Sequence, residues 1–186
     1  MLKKSLIVVT ALVLTASVSF AQGKFYTKTG KISFLSKAPI EEIEGKNKTV
    51  TAVLDSKTGA MQFAVQMKGF EFEKQLMQQH FNENYVESDK FPKAEFKGTV
   101  TNNRDIKYSK DGTYTAKVKG QLTIHGVTKD VETTGTFKIN SGKIDANSTF
   151  NVLISDYNIK IPAVVKEKVS NTIKITVDCN LEPLKS

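Results

Sequence analysis

Tyr114 to Ile139 reads YTAKVKGQLTIHGVTKDVETTGTFKI. Over its first half Tyr114, Ala116, Val118, Gly120, Leu122 and Ile124 alternate with Thr115, Lys117, Lys119, Gln121 and Thr123. Successive side chains of a strand point to opposite faces, so this period of two puts the first set on a core face and the second in water. The pattern breaks at His125-Gly126-Val127-Thr128-Lys129 and then resumes, with Val131, Thr133, Gly135, Phe137 and Ile139 pointing inward. Two half-buried strands joined by a short turn containing Gly are a long antiparallel hairpin. Gly120 and Gly135 stand beside Leu122 and Phe137 on the inner face, and such a mixture of sizes suits a cavity wall or the curve of a closed sheet.

The same alternation spreads outward from the hairpin. After the turn Asn140-Ser141-Gly142, the inward row is Ile144, Ala146, Ser148, Phe150, Val152 and Ile154, and Ile173, Ile175, Val177, Cys179 and Leu181 form the last one. Between these rows Ser155 to Ser170 is an excursion in which Pro162 suits the first turn of a short helix. Towards the N-terminus, Phe25 to Leu35 reads as one or two strands with a turn at Thr29-Gly30, and Ser36 to Gly45 breaks the alternation with room for a helical turn. Lys48 to Asp55 and Ala60 to Lys68 form a second hairpin, and the phase change at Phe70 and Phe72 places a bulge or bend at Gly69. Ala94 to Val100 is a further strand.

Lys74 to Tyr85 is the one helix the spacing predicts. Leu76, Met77, His80, Phe81, Asn84 and Tyr85 share one face, and Lys74, Gln75, Gln78, Gln79, Asn82 and Glu83 share the other. About eight strands in hairpins with a single helix give a mainly β fold. A long sheet with open edges is a liability, so closure into an eight-stranded antiparallel barrel with the helix over one end is the economical arrangement. A barrel of that size holds either its own side chains or one apolar ligand.

Residues 1–21 read as an export signal: Lys3 and Lys4 precede the apolar run Leu6 to Val18, and Ser19-Phe20-Ala21 offers a cleavage site. The run is short for a membrane span, and removal before Gln22 leaves one domain of 165 residues, 22–186, expected in the periplasm as a soluble protein. The whole chain carries a net charge of +8, with lysines scattered along outward faces. That distribution suits a solvated surface or transient contact with an anionic membrane, and without a basic run interleaved with aromatics it argues against nucleic acid. Cys179 is the single cysteine and falls in an apolar row, which favours a buried inert thiol.

No hydrolase elbow, phosphate-binding loop, dinucleotide fingerprint or metal-ligand spacing is present, so neither enzyme, cofactor nor metal is expected. His80, inside an apolar helical stripe, reads first as a core histidine bonded to backbone and second as a contact for a ligand's head. His125 reads as a turn residue held by a local hydrogen bond. Asn47-Lys48-Thr49 and Asn147-Ser148-Thr149 match the glycosylation sequon, which matters only in a eukaryotic secretory route.

Gly120 to Lys129, GQLTIHGVTK, closely resembles the signature hairpin of the YceI-like family. Phe91-Pro92-Lys93-Ala94-Glu95-Phe96 is similar to that family's entry to the strand after the helix, and Asp156-Tyr157-Asn158-Ile159 to its late loop. The resemblance spans Phe25 to Leu181 and implies an exported bacterial lipocalin-like barrel holding a polyisoprenoid lipid. The chain departs from the pattern at Ser36 to Pro39, at Glu73 to Leu76 and at Ser155. The expected ligand is therefore a long apolar lipid of isoprenoid quinone or polyprenyl phosphate type. The expected lining starts with Phe63, Val65, Met67, Phe70 and Phe72 before the helix. It continues with Leu76, Met77, Phe81 and Tyr85 in the helix, and with Tyr114, Val118, Phe137 and Phe150 from the later strands. His80 and Asn84 are expected at the mouth, with Lys93 or Lys97 for an anionic head, and Val118→Trp or Phe137→Asp is expected to lower ligand content without unfolding. The alternative is a non-enzymatic interaction module whose barrel is filled by its own side chains.

Overall fold

The computed structural model describes residues 23–184, so the export segment expected over residues 1–21 lies outside it. The chain runs through β1 (Lys24–Lys37), β2 (Glu42–Asp55), β3 (Ala60–Gln66), a two-residue β4 (Glu71–Phe72) and α1 (Gln75–His80). It continues through β5 (Lys93–Val100), β6 (Gly112–Ile124), β7 (Val127–Asn140), β8 (Lys143–Leu153) and β9 (Thr172–Pro183). Neighbours in space follow β1-β9-β8-β7-β6-β5-β3-β2, and β2 pairs back onto β1. Eight antiparallel strands thus close a barrel, while β4 hangs on the outer part of β2. Closure removes the edges that an open sheet of these strands would expose.

The register bears out the faces read from the alternation. In the organising hairpin Tyr114 faces Phe137, Ala116 faces Gly135, Val118 faces Thr133 and Gly120 faces Val131. Ala146 pairs with Phe137 on one side and with Cys179 on the other, so the late rows continue the same inner surface.

Three local expectations are narrowed or corrected. β1 is one strand, and Ser36 to Gly45 holds the end of β1, a tight turn over residues 38–41 and the start of β2 rather than a helical turn. A pairing irregularity at Gly30 shifts the inward set from Phe25 and Thr27 to Ile32, Phe34 and Ser36. Gly30 has no room for a side chain, because a Cβ there would stand 2.6 Å from the Cys179 sulfur. Of the bulge or bend expected at Gly69, the bulge is replaced by a bend, a short 3-10 turn over Met67–Gly69 between β3 and β4. The predicted helix is α-helical only over Gln75–His80, and Phe81–Tyr85 is a wider π turn closed by the Val86 amide donating to the Phe81 carbonyl at 2.9 Å.

Two cores stack along the barrel axis. At the end holding the β2–β3 and β7–β8 turns, Phe25, Leu54, Met61, Ile106, Phe137, Ile139, Ile144 and Leu181 pack into a filled plug. The second core, with Val65, Met67, Phe70, Leu122, Val152, Tyr157 and Ile173, lines the walls of the helix-bearing half. Several residues packed on it, including Phe34, Phe63, Phe72, Phe81 and Phe150, are only part-buried although they point into the barrel. Inward apolar groups remain accessible only where they border a void.

β7 and β8 pair only from Gly135 and Ser148 down to Asn140 and Lys143, so they part in the helix-bearing half. The 3-10 turn Ile154–Tyr157 fills the resulting split, with Tyr157 and Ile159 buried in the second core. Among the described residues no helix is long and apolar enough to cross a membrane.

Candidate functional site

The void is a cavity of about 550 Å³, within the range of roughly 300–1,000 Å³ that small-molecule sites occupy. The barrel is therefore filled by its own side chains at one end and open inside at the other. Phe137, Ala116 and Met61 form the floor. Val118, Leu122, Val131, Phe150, Ile175 and Val177 line the wall, and Phe63, Phe96, Val65 and Met67 line the opposite side. The mouth lies between three segments: the β1–β2 turn at Glu41, Lys74 and the following α1 with Leu76 and His80, and the late excursion at Val165, Lys168 and Val169.

α1 sits on a cluster of four phenylalanines. Phe34 of β1 lies 5.4 Å from both Phe70 and Phe81, and Phe72 lies 5.0 Å from Phe81, between ring centroids. Such tilted and stacked pairs add about 0.5–1.5 kcal/mol each beyond their burial, so Phe81, the residue directly after the six-residue helix, anchors its end to β1 and β4. Gly45 makes room for this cluster: a Cβ there would collide with the rings of Phe34 and Phe72.

Polar groups inside the cavity are satisfied locally. The Thr133 and Ser148 hydroxyls lie 3.1 Å apart, and Ser148 also donates to the Thr134 carbonyl at 3.3 Å. Ser36 Oγ accepts from the Ser170 amide at 2.9 Å and so ties the late excursion to β1. Of the charged lining residues, Glu41, Lys74 and Lys168 stand at the rim, and Glu95 of β5 is exposed to solvent.

Of the expected lining, Phe63, Val65, Met67, Phe70, Phe72, Leu76, Met77, His80, Phe81, Tyr85, Val118, Phe137 and Phe150 border the cavity. Asn84 does not, because the π turn holds more residues per turn than an α-helix and rotates it off the inner face into solvent. Tyr114 packs on the filled plug and donates its hydroxyl to the Lys110 carbonyl at 3.1 Å. Lys93 and Lys97 are exposed and do not line the cavity, whereas Lys74 and Lys168 do. His80 is not a core histidine; it is exposed at the mouth. Phe137 is only 3% exposed, so an Asp there would strike the plug, and Phe137→Asp is no longer a clean probe of binding. Phe96, Ile175 and Val177 also line the cavity and the alternation marks them as inward, whereas Phe34 lines it only because of the phase change at Gly30.

His125 is structural, as its place in the turn suggested, but its bonds are long-range. Its Nδ1 lies 3.1 Å from the Tyr157 carbonyl and its Nε2 lies 2.6 Å from Glu87 Oε2. Both partners are acceptors, so the ring donates through whichever nitrogen carries a proton. Phe91 packs edge-on at 4.6 Å, and a Cβ on Gly126, whose φ is +73°, would stand 2.6 Å from that ring. The three sequence stretches singled out above thus meet at the split between β7 and β8 and seal it.

Asn47 is 1% exposed, donates to the Gln66 carbonyl at 2.9 Å and accepts from Thr49, so this sequon has no free amide. Cys179 is fully buried, and burial pushes its thiol up to about 11. The described residues hold no group of three or more His, Cys, Asp or Glu side chains able to take a metal.

A YceI-like domain model matches residues 8–181. A polyisoprenoid binding domain from Saccharophagus degradans, implicated in plant cell wall breakdown, superposes with a TM-score of 0.76 at 13% identity. That match covers 87% of this chain and 99% of that one. Burkholderia cenocepacia BcnA superposes with a TM-score of 0.66 at 19% identity, covering 82% and 94%. The Campylobacter jejuni YCEI protein gives 0.55 at 20% identity, covering 73% and 82%. At these identities the likeness is one of fold. Among curated proteins no relative matches.

Proposed function

The chain belongs to the YceI-like domain family, and from that premise we propose that it is an exported, non-enzymatic carrier of a long apolar lipid of isoprenoid quinone or polyprenyl phosphate type. The observation that carries this reading is the cavity of about 550 Å³, whose lining is predominantly apolar. The S. degradans neighbour, described as polyisoprenoid binding, is consistent with it. The signal-like residues 1–21 support export to the periplasm, with residues 22–186 as the working domain.

The volume limits what is enclosed. A water-sized group takes about 30 Å³ in the liquid, and a methylene is similar, so on the order of 18 such groups fill the cavity. At about 0.8 kcal/mol per buried CH₂ the gross gain relative to water is about 14 kcal/mol, before the cost of ordering the tail. Relative to a bilayer the gain is close to nil, because acyl chains are as apolar as the cavity wall. That balance suits a carrier that loads and unloads at membranes rather than a store that never releases. A longer polyprenyl chain would leave the mouth between α1 and the late excursion.

Retinol, a fluorescent twenty-carbon isoprenoid, tests the reading in solution, and a chain without Trp adds little background. We expect a saturable rise in retinol fluorescence with one site per chain. A non-saturable response to both retinol and a short-chain quinone would overturn the proposal.

A further inference from the structure

We propose that the mouth of the barrel docks on anionic phospholipid bilayers, with Ile40, Leu76 and Val164 entering the interface and Lys160, Lys166 and Lys168 facing the headgroups. Six large apolar side chains are exposed among the described residues, and four of them, Ile40, Leu76, Leu153 and Val164, lie at the helix-bearing end. Ile40 is 62%, Leu76 61% and Val164 90% exposed. They come from three separate segments: the β1–β2 turn, α1 and the late excursion.

The geometry brings those segments together around one opening. The Ile40 amide donates to the Glu167 carbonyl at 3.2 Å, which joins the turn to the excursion. Lys74 Nζ lies 3.9 Å from Glu41 Oε1, which joins α1 to the same turn. Glu41, Lys74, Leu76, Val165 and Lys168 all border the cavity mouth. Apolar tips encircling the entrance of an apolar cavity would let a tail pass from bilayer to barrel without crossing water.

Charge commits the surface to an anionic partner. Lys37 is paired with Glu42 at 2.8 Å, and Glu41 faces Lys74, so the acids of the turn are already engaged. Lys160, Lys166 and Lys168 form no ion pair among the described residues, and Glu167 is the one acid between them. Exposed apolar groups beside lysines are the pattern of interfacial membrane binding, where burial and headgroup attraction add.

This inference rests on the carrier reading, and the test separates the two. The purified protein is floated with vesicles of phosphatidylglycerol and phosphatidylcholine, or of phosphatidylcholine alone, and retinol uptake is titrated in parallel without vesicles. The expected result is binding to the anionic vesicles that weakens with salt. Lys160→Gln with Lys166→Gln should lower it roughly 25-fold, at about fivefold per lysine. Ile40→Ser with Val164→Ser should also lower it, and neither pair lines the cavity, so retinol affinity should stay at the wild-type value. Lys107→Gln with Lys110→Gln, at the opposite end, should leave flotation unchanged. Flotation insensitive to the mouth variants, or lost equally with the opposite-end pair, would overturn the docking face while leaving retinol binding intact. Failure of the wild-type protein to bind retinol would instead count against the carrier.

Discussion

Replacing Val118 by Trp places a large ring inside the cavity. Val118 lies opposite Thr133 on β6 and β7 and lines the wall above the filled plug. Trp adds about seven heavy atoms, which at about 30 Å³ each remove roughly 200 Å³ of the cavity's 550 Å³. A ligand that lost all the matching burial would forfeit about 6 kcal/mol at about 0.8 kcal/mol per group. A tail that slides towards the mouth recovers part of that, and a net loss of about 3 kcal/mol corresponds to on the order of a hundredfold in Kd. The new ring enters existing space and its N–H can reach the Thr133 hydroxyl, so the change in stability should stay near 1 kcal/mol, or about 2–4 °C in Tm. Retinol titration and thermal unfolding of the same preparations measure both quantities. A folded Val118→Trp protein with wild-type retinol affinity would refute the placement of the ligand inside the barrel.

Other expectations follow from single features of the structure. His125→Asn keeps a residue tolerant of the positive φ of 51° but cannot span from Glu87 to Tyr157. It should cost about 2 kcal/mol in denaturant unfolding and speed hydrogen exchange over residues 156–159; unchanged exchange there would show that His125 does not hold the late turn. Cys179 should resist alkylation at pH 8 in the folded protein and react fully in denaturant, and rapid native labelling would contradict its burial. Burial raises Cys179 from 9.0 to about 11, and raises Tyr108 and Tyr157 from 10.0 to about 12. The unfolded chain therefore releases these protons first, so stability should be level up to about pH 9 and fall between about 9 and 12, as unfolding midpoints against pH will show. Phe137→Asp should unfold the barrel while Phe137→Leu remains folded, because Phe137 packs in the plug beneath the cavity; a folded Asp variant would contradict that.

The alternation of Tyr114 to Ile139 carried most of the fold, because each strand buries one face and a slip of one residue would expose the whole row. The same rule reached β8 and β9. It failed where the backbone changes phase. The irregularity at Gly30 switches β1 from odd to even inward positions, and the π turn after His80 swings Asn84 out while Phe81 and Tyr85 stay in. Neither leaves a mark in a hydrophobic pattern. The cavity itself was only half legible. Inward rows at Phe137 and at Val177 look alike in sequence, yet one packs into a plug and the other faces a void. That difference depends on which loops cover each end. Lys74 and Lys168 at the mouth come from segments nearly a hundred residues apart, and only closure of the barrel brings them to one opening. The meeting of His125 with Glu87, Phe91 and Tyr157 belongs to the same class of fact.

The most direct test of the central claim is native mass spectrometry of this protein exported from a bacterial host, followed by solvent extraction of the bound fraction. The account predicts one apolar lipid of isoprenoid type per chain, with correspondingly less in Val118→Trp. A mass equal to the bare polypeptide, with no uptake of added quinone or polyprenyl phosphate, would contradict it.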